Sequence, residues 1–268
     1  MLPFGPYRPD VAETNPGVSQ RVINAQPRRD AQGVSYHPRK GLAVTATATV
    51  LPDAPRGAVS VVTRAGEFKG YFGTVSALYS MSASYVFTQI ATGFAVPNGH
   101  KWGMTQYGTK ALFTNTFDGM KAFDIELGGA VTAVTGAPRA RSIFVWLEAV
   151  FALDCDGDNR VMRNSNPGSY TEWKKGLATG QEFADGEALM GGGTLGDGQA
   201  FIIQRAAVRV LTATGNNRLF RIDKIADGIG AVCPEAIVQA PGAGYFFDNS
   251  GFYRVTSQGL EPIGEDKV

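Results

Sequence analysis

The chain has 268 residues, of which 44% are hydrophobic, and it carries a formal net charge of +1. This is enough apolar material for a large core, and the near-zero charge argues against nucleic-acid binding as the main adhesive force. The 34 glycines and 14 prolines, with little helical periodicity, indicate many short strands and turns and therefore an all-β protein.

The sequence shows no signal for a membrane or for export. No apolar run approaches the ~18 residues of a membrane span, and the N-terminus, MLPFGPYRPD, lacks an apolar signal-peptide core. We therefore expect synthesis in the cytoplasm and no membrane span. Cys155 and Cys233 have neither CxxC spacing nor a neighbouring histidine, which predicts two free thiols and no metal site.

Residues 1–40 are predicted to form an extended N-terminal arm. They combine six prolines with scattered charges and show no sustained period of two or 3.6 residues. A disordered tail is the alternative, but the arm has apolar side chains that it could bury on another subunit or on the body of the protein. The candidate residues for contact with a neighbouring subunit or an adaptor protein are Phe4, Tyr7, Arg8, Val22 and Ile23.

Residues 41–268 are predicted to form the second domain. Its first stretch, Leu42–Leu51, alternates Thr with Ala or Val, which is typical of a strand with one face on a core. In a ring of small sheets, an N-terminal strand of this kind can complete the last sheet and remove an exposed edge. Leu42–Leu51 is our candidate for that closure.

From Val59 onward, the sequence repeats one plan five times: short apolar runs separated by Asp, Gly or Asn turns, which indicate antiparallel strands. The middle strands recur about every 40 to 50 residues, the range of propeller blades. We predict a β-propeller of about five or six antiparallel blades, with a β-sandwich as the alternative. The predicted middle strands lie near Tyr71, Leu112, Phe151, Ile202 and Phe246.

One motif resembles a calcium loop. Asp154, Asp156 and Asp158 alternate as the first ligands of such a loop do, but Asn159 stands where glycine is required and Ser165 where a bidentate glutamate is required. We interpret the stretch as a hairpin turn.

A second motif, Gly191–Gly196, matches the dinucleotide fingerprint GxGxxG by letter alone. That fingerprint needs a preceding strand and a following helix to hold the pyrophosphate, and here a turn and a strand follow. We predict a flexible loop between blades and no cofactor.

Residues for catalysis are scarce. His37 and His100 lie in contexts that do not suggest a triad, and no GxSxG elbow occurs. Glu182, Asp185 and Glu187 could serve as glycosidase carboxylates, but they lie in a polar turn where solvated surface is the commoner role. We expect no enzymatic activity and no catalytic residue.

Two further features concern packing. Arg205 and Arg209 are predicted to share one face of a strand, where they would line a channel or pair with acids of the next blade. Trp173 is predicted to pack between blades.

Several stretches together resemble the β-propeller tail proteins of bacteriophages, which include the tail hub or nozzle proteins of short-tailed phages, also described as packaged-DNA stabilisation or head–tail joining proteins. The resemblance covers about Pro16 to Val268 and rests on successive turns and aromatics rather than on an invariant signature. The stretches are PGVSQRVINAQPRRD, VVTRAGEFKGYFGTVSALYSMS, WGMTQYGTKALFTN, PRARSIFVWLEAVFALDCDGDNRVMRNSNPGSYTEWKKG, GQEFADGEALMGG and GYFFDNSGFYRVTSQGLEPIG.

The resemblance implies a structural virion protein located in the phage tail. Similar proteins form a ring, usually of six copies, below the portal and adaptor proteins, and this ring continues the channel through which the genomic DNA leaves. Its partners would be other copies of itself, the portal or adaptor, and tail fibre, spike or distal tail proteins. The alternative is a propeller tail protein that binds a host glycan or receptor.

Overall fold

The computed structural model of the chain describes residues 25–30, 33–38, 49–215 and 217–263, with the backbone alone for the first two ranges. These residues form an all-β structure of 22 strands, with one short 3-10 helix at Pro234–Ala236. Twenty strands form five four-stranded antiparallel sheets, named blades 1 to 5 below. The predicted all-β class is confirmed, and five blades lie within the predicted range. In the described ranges, no helix has the length and apolar character needed to cross a membrane.

The first two strands form a hairpin within the predicted arm. β1 (Ala25–Asp30) pairs with β2 (Gly33–Pro38), with Arg28 opposite Ser35. The sequence analysis did not foresee this hairpin, which carries Pro27 and Pro38. Proline is compatible with it because both strands of a two-stranded ribbon are edge strands. The predicted contact residues Phe4, Tyr7, Arg8, Val22 and Ile23 lie outside the described residues.

Each blade is built from four consecutive strands. Blade 1 comprises β3 (Gly57–Val62), β4 (Phe68–Gly73), β5 (Ala77–Met81) and β6 (Phe87–Thr92). Blade 2 comprises β7 (Gly103–Tyr107), β8 (Lys110–Thr114), β9 (Lys121–Asp124) and β10 (Gly128–Ala133). Blade 3 comprises β11 (Ala140–Trp146), β12 (Ala149–Cys155), β13 (Asp158–Asn164) and β14 (Thr179–Glu182). Blade 4 comprises β15 (Leu189–Thr194), β16 (Gln199–Gln204), β17 (Ala207–Ala213) and β18 (Phe220–Asp227). Blade 5 comprises β19 (Ile237–Ala240), β20 (Ala243–Asp248), β21 (Gly251–Thr256) and β22 (Gly259–Ile263).

The blades are arranged around a common axis. The first strand of each blade is innermost, and β3, β7, β11, β15 and β19 lie side by side in that order. Short Asp and Gly turns such as Asp156-Gly157 reverse the chain between strands, as the sequence predicted. Because every strand pairs with its neighbour in sequence, each blade is a simple meander.

The core is divided among the four joints between successive blades. The second strand of a blade packs on both neighbours, so β12 is buried along its whole length. In blade 1, Tyr71 meets Phe113 of blade 2 edge-on, with ring centroids 5.9 Å apart. Trp173 packs with residues of blades 2 and 3, which confirms its predicted place between blades. Full burial of a large apolar side chain of this kind contributes about 1.5–3 kcal/mol.

Three local predictions are corrected. Gly191–Gly193 do not form a flexible loop but lie in β15, the innermost strand of blade 4. A Cβ on Gly192 would lie 2.7 Å from the Phe201 carbonyl oxygen, so the crowded axis favours glycine there. Arg205 lies in the turn between β16 and β17 and not on the strand that holds Arg209, because the hairpin reverses the chain at Arg205-Ala206. Residues 49–51, the end of the predicted strand Leu42–Leu51, are not in a strand, and residues 42–48 lie outside the described ones.

Candidate functional site

An axial cavity of about 310 Å³ lies where the five innermost strands meet. Each of these strands contributes to its wall, through Ala58, Met104, Ser142, Gly192 and Ile237. At roughly 30 Å³ per molecule, the cavity holds about ten waters. A sphere of this volume is roughly 8 Å across, which is narrower than the major groove of a DNA duplex, at about 12 Å, so a duplex does not fit.

The charged side chains at the wall of the axial cavity form ion pairs. Lys101 Nζ lies 3.3 Å from Glu235 Oε1 and so links the entry of blade 2 to the entry of blade 5. Burial opposes ionisation of Glu235, yet the backbone hydrogen bond at its own position and the contact with Lys101 keep its pKa below the ordinary value. Arg141 donates through Nε to Asp154, at 2.6 Å. The first pair links two blades, and the second joins β11 to β12 within blade 3.

The carboxylates of the calcium-like motif are directed to separate arginines. Asp154 accepts from Arg141, Asp156 lies 3.3 Å from Arg163, and Asp158 lies 3.7 Å from Arg160. Three carboxylates that each hold a different cation do not converge on one ion. No group of three potential metal ligands occurs in the part of the chain that the structure describes.

The three acids of the candidate glycosidase turn are likewise paired with cations. Glu182 Oε1 lies 3.2 Å from Arg160, and Glu187 Oε2 lies 3.6 Å from Arg205. Asp185 contacts Lys224 and Arg209; the hydrogen bond from Lys224 is the main cause that lowers the pKa of Asp185. Because these side chains serve as ion-pair partners, the turn does not present a free acid beside a free base.

Arg209 is the buried member of this network. Its guanidinium lies 4.9 Å from the ring centre of Phe183, and its Nε donates to Gln204 Oε1 at 2.7 Å. Of the two predicted roles for Arg209, the structure shows pairing with an acid, since Asp185 lies in the connection between blades 3 and 4.

The two histidines lie far apart in the sequence and differ in surroundings. His100 Nδ1 lies 3.2 Å from Thr116 Oγ1, and the His100 ring meets Phe117 edge-on with centroids 4.9 Å apart. It borders the axial cavity. His37 lies in β2, where the backbone alone is described.

An open groove of about 950 Å³ separates the outer parts of blades 3 and 4. Its wall includes Glu182, Asp185 and Arg218 beside the half-buried Phe220. It lies at the rim, away from the axis.

Blade 5 presents an apolar face directed away from blade 4, named here the terminal face of blade 5. Successive strand residues alternate between faces: Phe246 is buried against blade 4, whereas its neighbours Tyr245 and Phe247 are exposed. Phe247 and Phe252 stand opposite each other with ring centroids 4.8 Å apart. The face also carries Val238 and Ile263, and the ion pair that its described residues form is internal, between Arg254 and Glu261 at 2.9 Å.

Blade 1 presents a matching face directed away from blade 2, named the terminal face of blade 1. Here Val61 and Tyr71 face blade 2, and the alternate residues Val62 and Phe72 point the other way. A groove of about 450 Å³ crosses this face, with Phe68, Phe72, Met81 and Tyr85 in its wall. Phe68 is 74% exposed.

The two terminal faces concentrate the exposed apolar surface of the described chain. Of the twelve large hydrophobic residues that are exposed among these residues, eight belong to the two faces and their rims. They are Val62, Phe68, Tyr85, Val238, Tyr245, Phe247, Phe252 and Ile263. Exposed apolar surface that is concentrated in this way is typical of interaction sites. The sequence analysis did not identify these faces.

No protein-family model matches the chain, and no curated protein matches it. Among solved structures, it is similar to virginiamycin B lyase from Staphylococcus aureus, with 13% identity, a TM-score of 0.50, and coverage of 91% of this chain and 79% of the lyase chain. A catalytically inactive variant of that lyase with quinupristin gives a TM-score of 0.52 at the same identity and coverage. The extracellular domain of a putative hybrid two-component system from B. thetaiotaomicron gives a TM-score of 0.54 at 9% identity, covering 81% of this chain and 28% of that one. At such identities the likeness concerns the fold alone: the chain has a β-propeller fold.

Proposed function

We propose that this protein is a non-enzymatic structural protein of a bacteriophage tail. It forms a homo-oligomeric ring, as a hub, nozzle or head–tail joining component that continues the DNA exit channel below the portal or adaptor. The observation that carries the proposal is the pair of exposed apolar terminal faces, because a propeller blade normally buries both faces and an uncovered one calls for a protein partner. The sequence resemblance supplies the virion setting.

In the proposed tail, the small volume of the axial cavity determines where the DNA can pass. The axial cavity, about 310 Å³, excludes a duplex from the middle of a single propeller. The channel is therefore the hole enclosed by the ring of copies, with each propeller as one segment of its wall. A formal charge of +1 suits such a wall, since strong phosphate contacts would retain the genome rather than release it.

The rigidity of the joints supports a load-bearing role. Each joint between successive blades has its own buried cluster, with Phe113 and Phe151 at 0% exposure as examples. Hydrogen bonds also cross the joints, as where Gln106 both donates to the Val62 carbonyl and accepts from the Val62 N–H. A wall built this way resists shear between neighbouring sheets.

The test is to locate the chain in purified particles. Quantitative mass spectrometry should find it as a structural component at six copies per portal, and cryo-electron microscopy should place its density between the portal and the distal tail. Its absence from particles that are otherwise complete contradicts the proposal. The portal protein of the same particles serves as the internal standard for copy number.

A second candidate function, glycan or receptor binding, is favoured by the groove between blades 3 and 4. Its combination of carboxylates, Arg218 and the flank of Phe220 is suited to a polar ligand at the rim. Binding of the purified protein to a glycan array, lost in Arg218→Ala and retained in Arg64→Ala at an exposed position outside the groove, supports this function. An array without specific signal counts against it.

A further inference from the structure

We propose that the axial cavity binds a small molecule that carries a carboxylate or phosphate group. This inference concerns the inner part of the propeller and does not depend on the proposed tail function. The cavity volume of about 310 Å³ lies at the lower end of the usual range for small-molecule sites, about 300–1,000 Å³. At about 30 Å³ per water, the cavity suits a ligand of roughly ten non-hydrogen atoms.

The first argument is the backbone that borders the cavity. The innermost strand of each blade has a neighbour on one side only within its sheet. The other edge of such a strand carries N–H and C=O groups that the sheet leaves unpaired. All five of these strands contribute to the wall of the cavity. The cavity is therefore polar, and its backbone N–H groups are available as hydrogen-bond donors to an oxyanion.

The second argument is the charge of the wall. Among the described residues that form it, the charged side chains are Lys101, Arg141 and Glu235, which gives two cations against one carboxylate. His100 adds an imidazole ring to the same wall. Asp154, the ion-pair partner of Arg141, does not border the cavity. An excess of positive charge in a partly enclosed space attracts anions.

The third argument is how Arg141 is held. Its Nε donates to Asp154 Oδ2 at 2.6 Å, and Asp154 is 5% exposed. Neither terminal nitrogen of Arg141, Nη1 or Nη2, has a hydrogen-bond acceptor among the residues that the structure describes. A guanidinium that is fixed at Nε keeps its two terminal nitrogens for a second partner. Their planar fork matches two oxygens of a carboxylate or phosphate.

The backbone at Asp154 supports a positioning role for this residue. The pairing of β12 with β13 shifts its register between Leu153 and Cys155, and Asp154 lies at the shift with a left-handed φ of 59°. A left-handed backbone is uncommon at residues other than glycine. Irregularities of this kind re-aim a side chain, and they occur often beside functional sites. Here the irregularity lies at the residue that orients the Arg141 guanidinium.

His100 and Lys101 supply further donors at the same wall. His100 Nδ1 lies 3.2 Å from Thr116 Oγ1, so Nε2 is the ring nitrogen that has no partner among the described residues. Lys101 Nζ lies 3.3 Å from Glu235 Oε1, and the two side chains are 56% and 42% exposed. Because an exposed ion pair is weak, Lys101 can contact an anionic ligand at little cost.

The first test locates the binding site by nuclear magnetic resonance. Succinate or inorganic phosphate is added to the 15N-labelled full-length protein, with sodium chloride of equal ionic strength as the control. Trp102 borders the cavity, whereas Trp146 and Trp173 do not. We expect a saturable shift of the Trp102 indole N–H signal alone, which Trp102→Phe assigns, and the anion that binds more tightly identifies the ligand group. Equal shifts of all three indole signals, or no saturable shift with either anion, overturn the inference.

The second test uses the two members of one ion pair, which should have opposite effects. Lys101→Gln removes a cation and should weaken binding about tenfold, whereas Glu235→Gln removes the carboxylate of the wall and should strengthen binding. Arg141→Lys keeps the charge but lacks the fork, so it should also weaken binding. Arg139→Gln, at an exposed arginine outside the wall, is the control and should leave binding unchanged. Changes of the same sign in Lys101→Gln and Glu235→Gln contradict the inference.

Discussion

A methyl group placed on Gly73 of blade 1 would overlap the indole ring of Trp102 at the entry of blade 2. The indole Nε1 also donates a hydrogen bond of 2.9 Å to the Thr74 carbonyl. The position of the ring is therefore fixed both by packing against Gly73 and by this hydrogen bond. Trp102 is 5% exposed and belongs to the core of the first joint. The spacing of blades 1 and 2 therefore depends on the absence of a side chain at residue 73.

We predict that Gly73→Ala destabilises the protein. Over-packing of a filled core costs about 1–3 kcal/mol in the free energy of unfolding, and the indole cannot retreat without losing its hydrogen bond. Urea unfolding followed by tryptophan fluorescence measures the change. Gly119→Ala is the control, because a Cβ there has open space around it. Equal stability of the two variants would show that the first joint is loosely packed.

Phe151 provides a test of the joints as the main source of stability. It is fully buried in β12, where it stacks on Phe144 with ring centroids 5.1 Å apart and contacts Phe220. Phe151→Ala should lower the free energy of unfolding by about 3–5 kcal/mol, the usual cost of a large buried cavity. Phe68→Ala, at a position 74% exposed, should change the monomer by less than about 0.5 kcal/mol. Similar losses for both variants would contradict the assignment of the core.

The lowered pKa of Asp124 predicts how the stability of the fold changes in acid. Hydrogen bonds from the Leu127 N–H, from Lys110 and from the Glu126 N–H hold its pKa at about 2, below the ordinary 3.8. Because the folded pKa is lowered, the carboxylate stabilises the fold above about pH 4, and this contribution is lost as the pH falls towards 2. Between these pH values, the stability of the native protein should fall more steeply than that of Asp124→Asn. Parallel curves for the two proteins would refute the predicted role of this carboxylate.

The two thiols should differ sharply in reactivity. Cys155 is 2% exposed, and burial raises its pKa to about 12, so it stays protonated at pH 8. Cys233 is only partly buried. Titration with a disulfide reagent at pH 8 should therefore modify one thiol per folded chain rapidly, and two in denaturant. Loss of the rapid phase in Cys233→Ser identifies the reactive residue, and a rapid phase that survives this substitution contradicts the assignment.

The sequence predicted the middle of each blade better than its edges. Second strands such as β12 and β16 are dense in apolar and aromatic residues because both faces are buried, and those residues were recognised. The outermost strands were missed, since β14 (TGQE) is exposed at every residue and carries no pattern that distinguishes it from a loop. Strand pairing within the blade, rather than local preference, makes these residues extended.

The innermost strand of blade 4, β15, was hidden for a different reason. β15 contains three successive glycines, which in isolation indicate a loop. Near the axis, however, a Cβ on Gly192 would approach Phe144 to 2.9 Å, so close packing of three strands selects glycine within a regular strand. The terminal faces were equally out of reach, because apolar residues in a sequence do not reveal which of them lack a covering sheet.

The meander topology also governs how the protein is made. Blade 3, for example, is one uninterrupted stretch from Ala140 to Glu182, with all its strand pairs between sequence neighbours. A ribosome therefore releases finished sheets one after another, and each can dock on its predecessor before the next emerges. Blade 5 is the last of these five to appear, and its apolar terminal face has no covering sheet from another blade. We therefore expect the protein expressed alone to aggregate more readily than Val238→Asp with Phe252→Asp, as measured by light scattering.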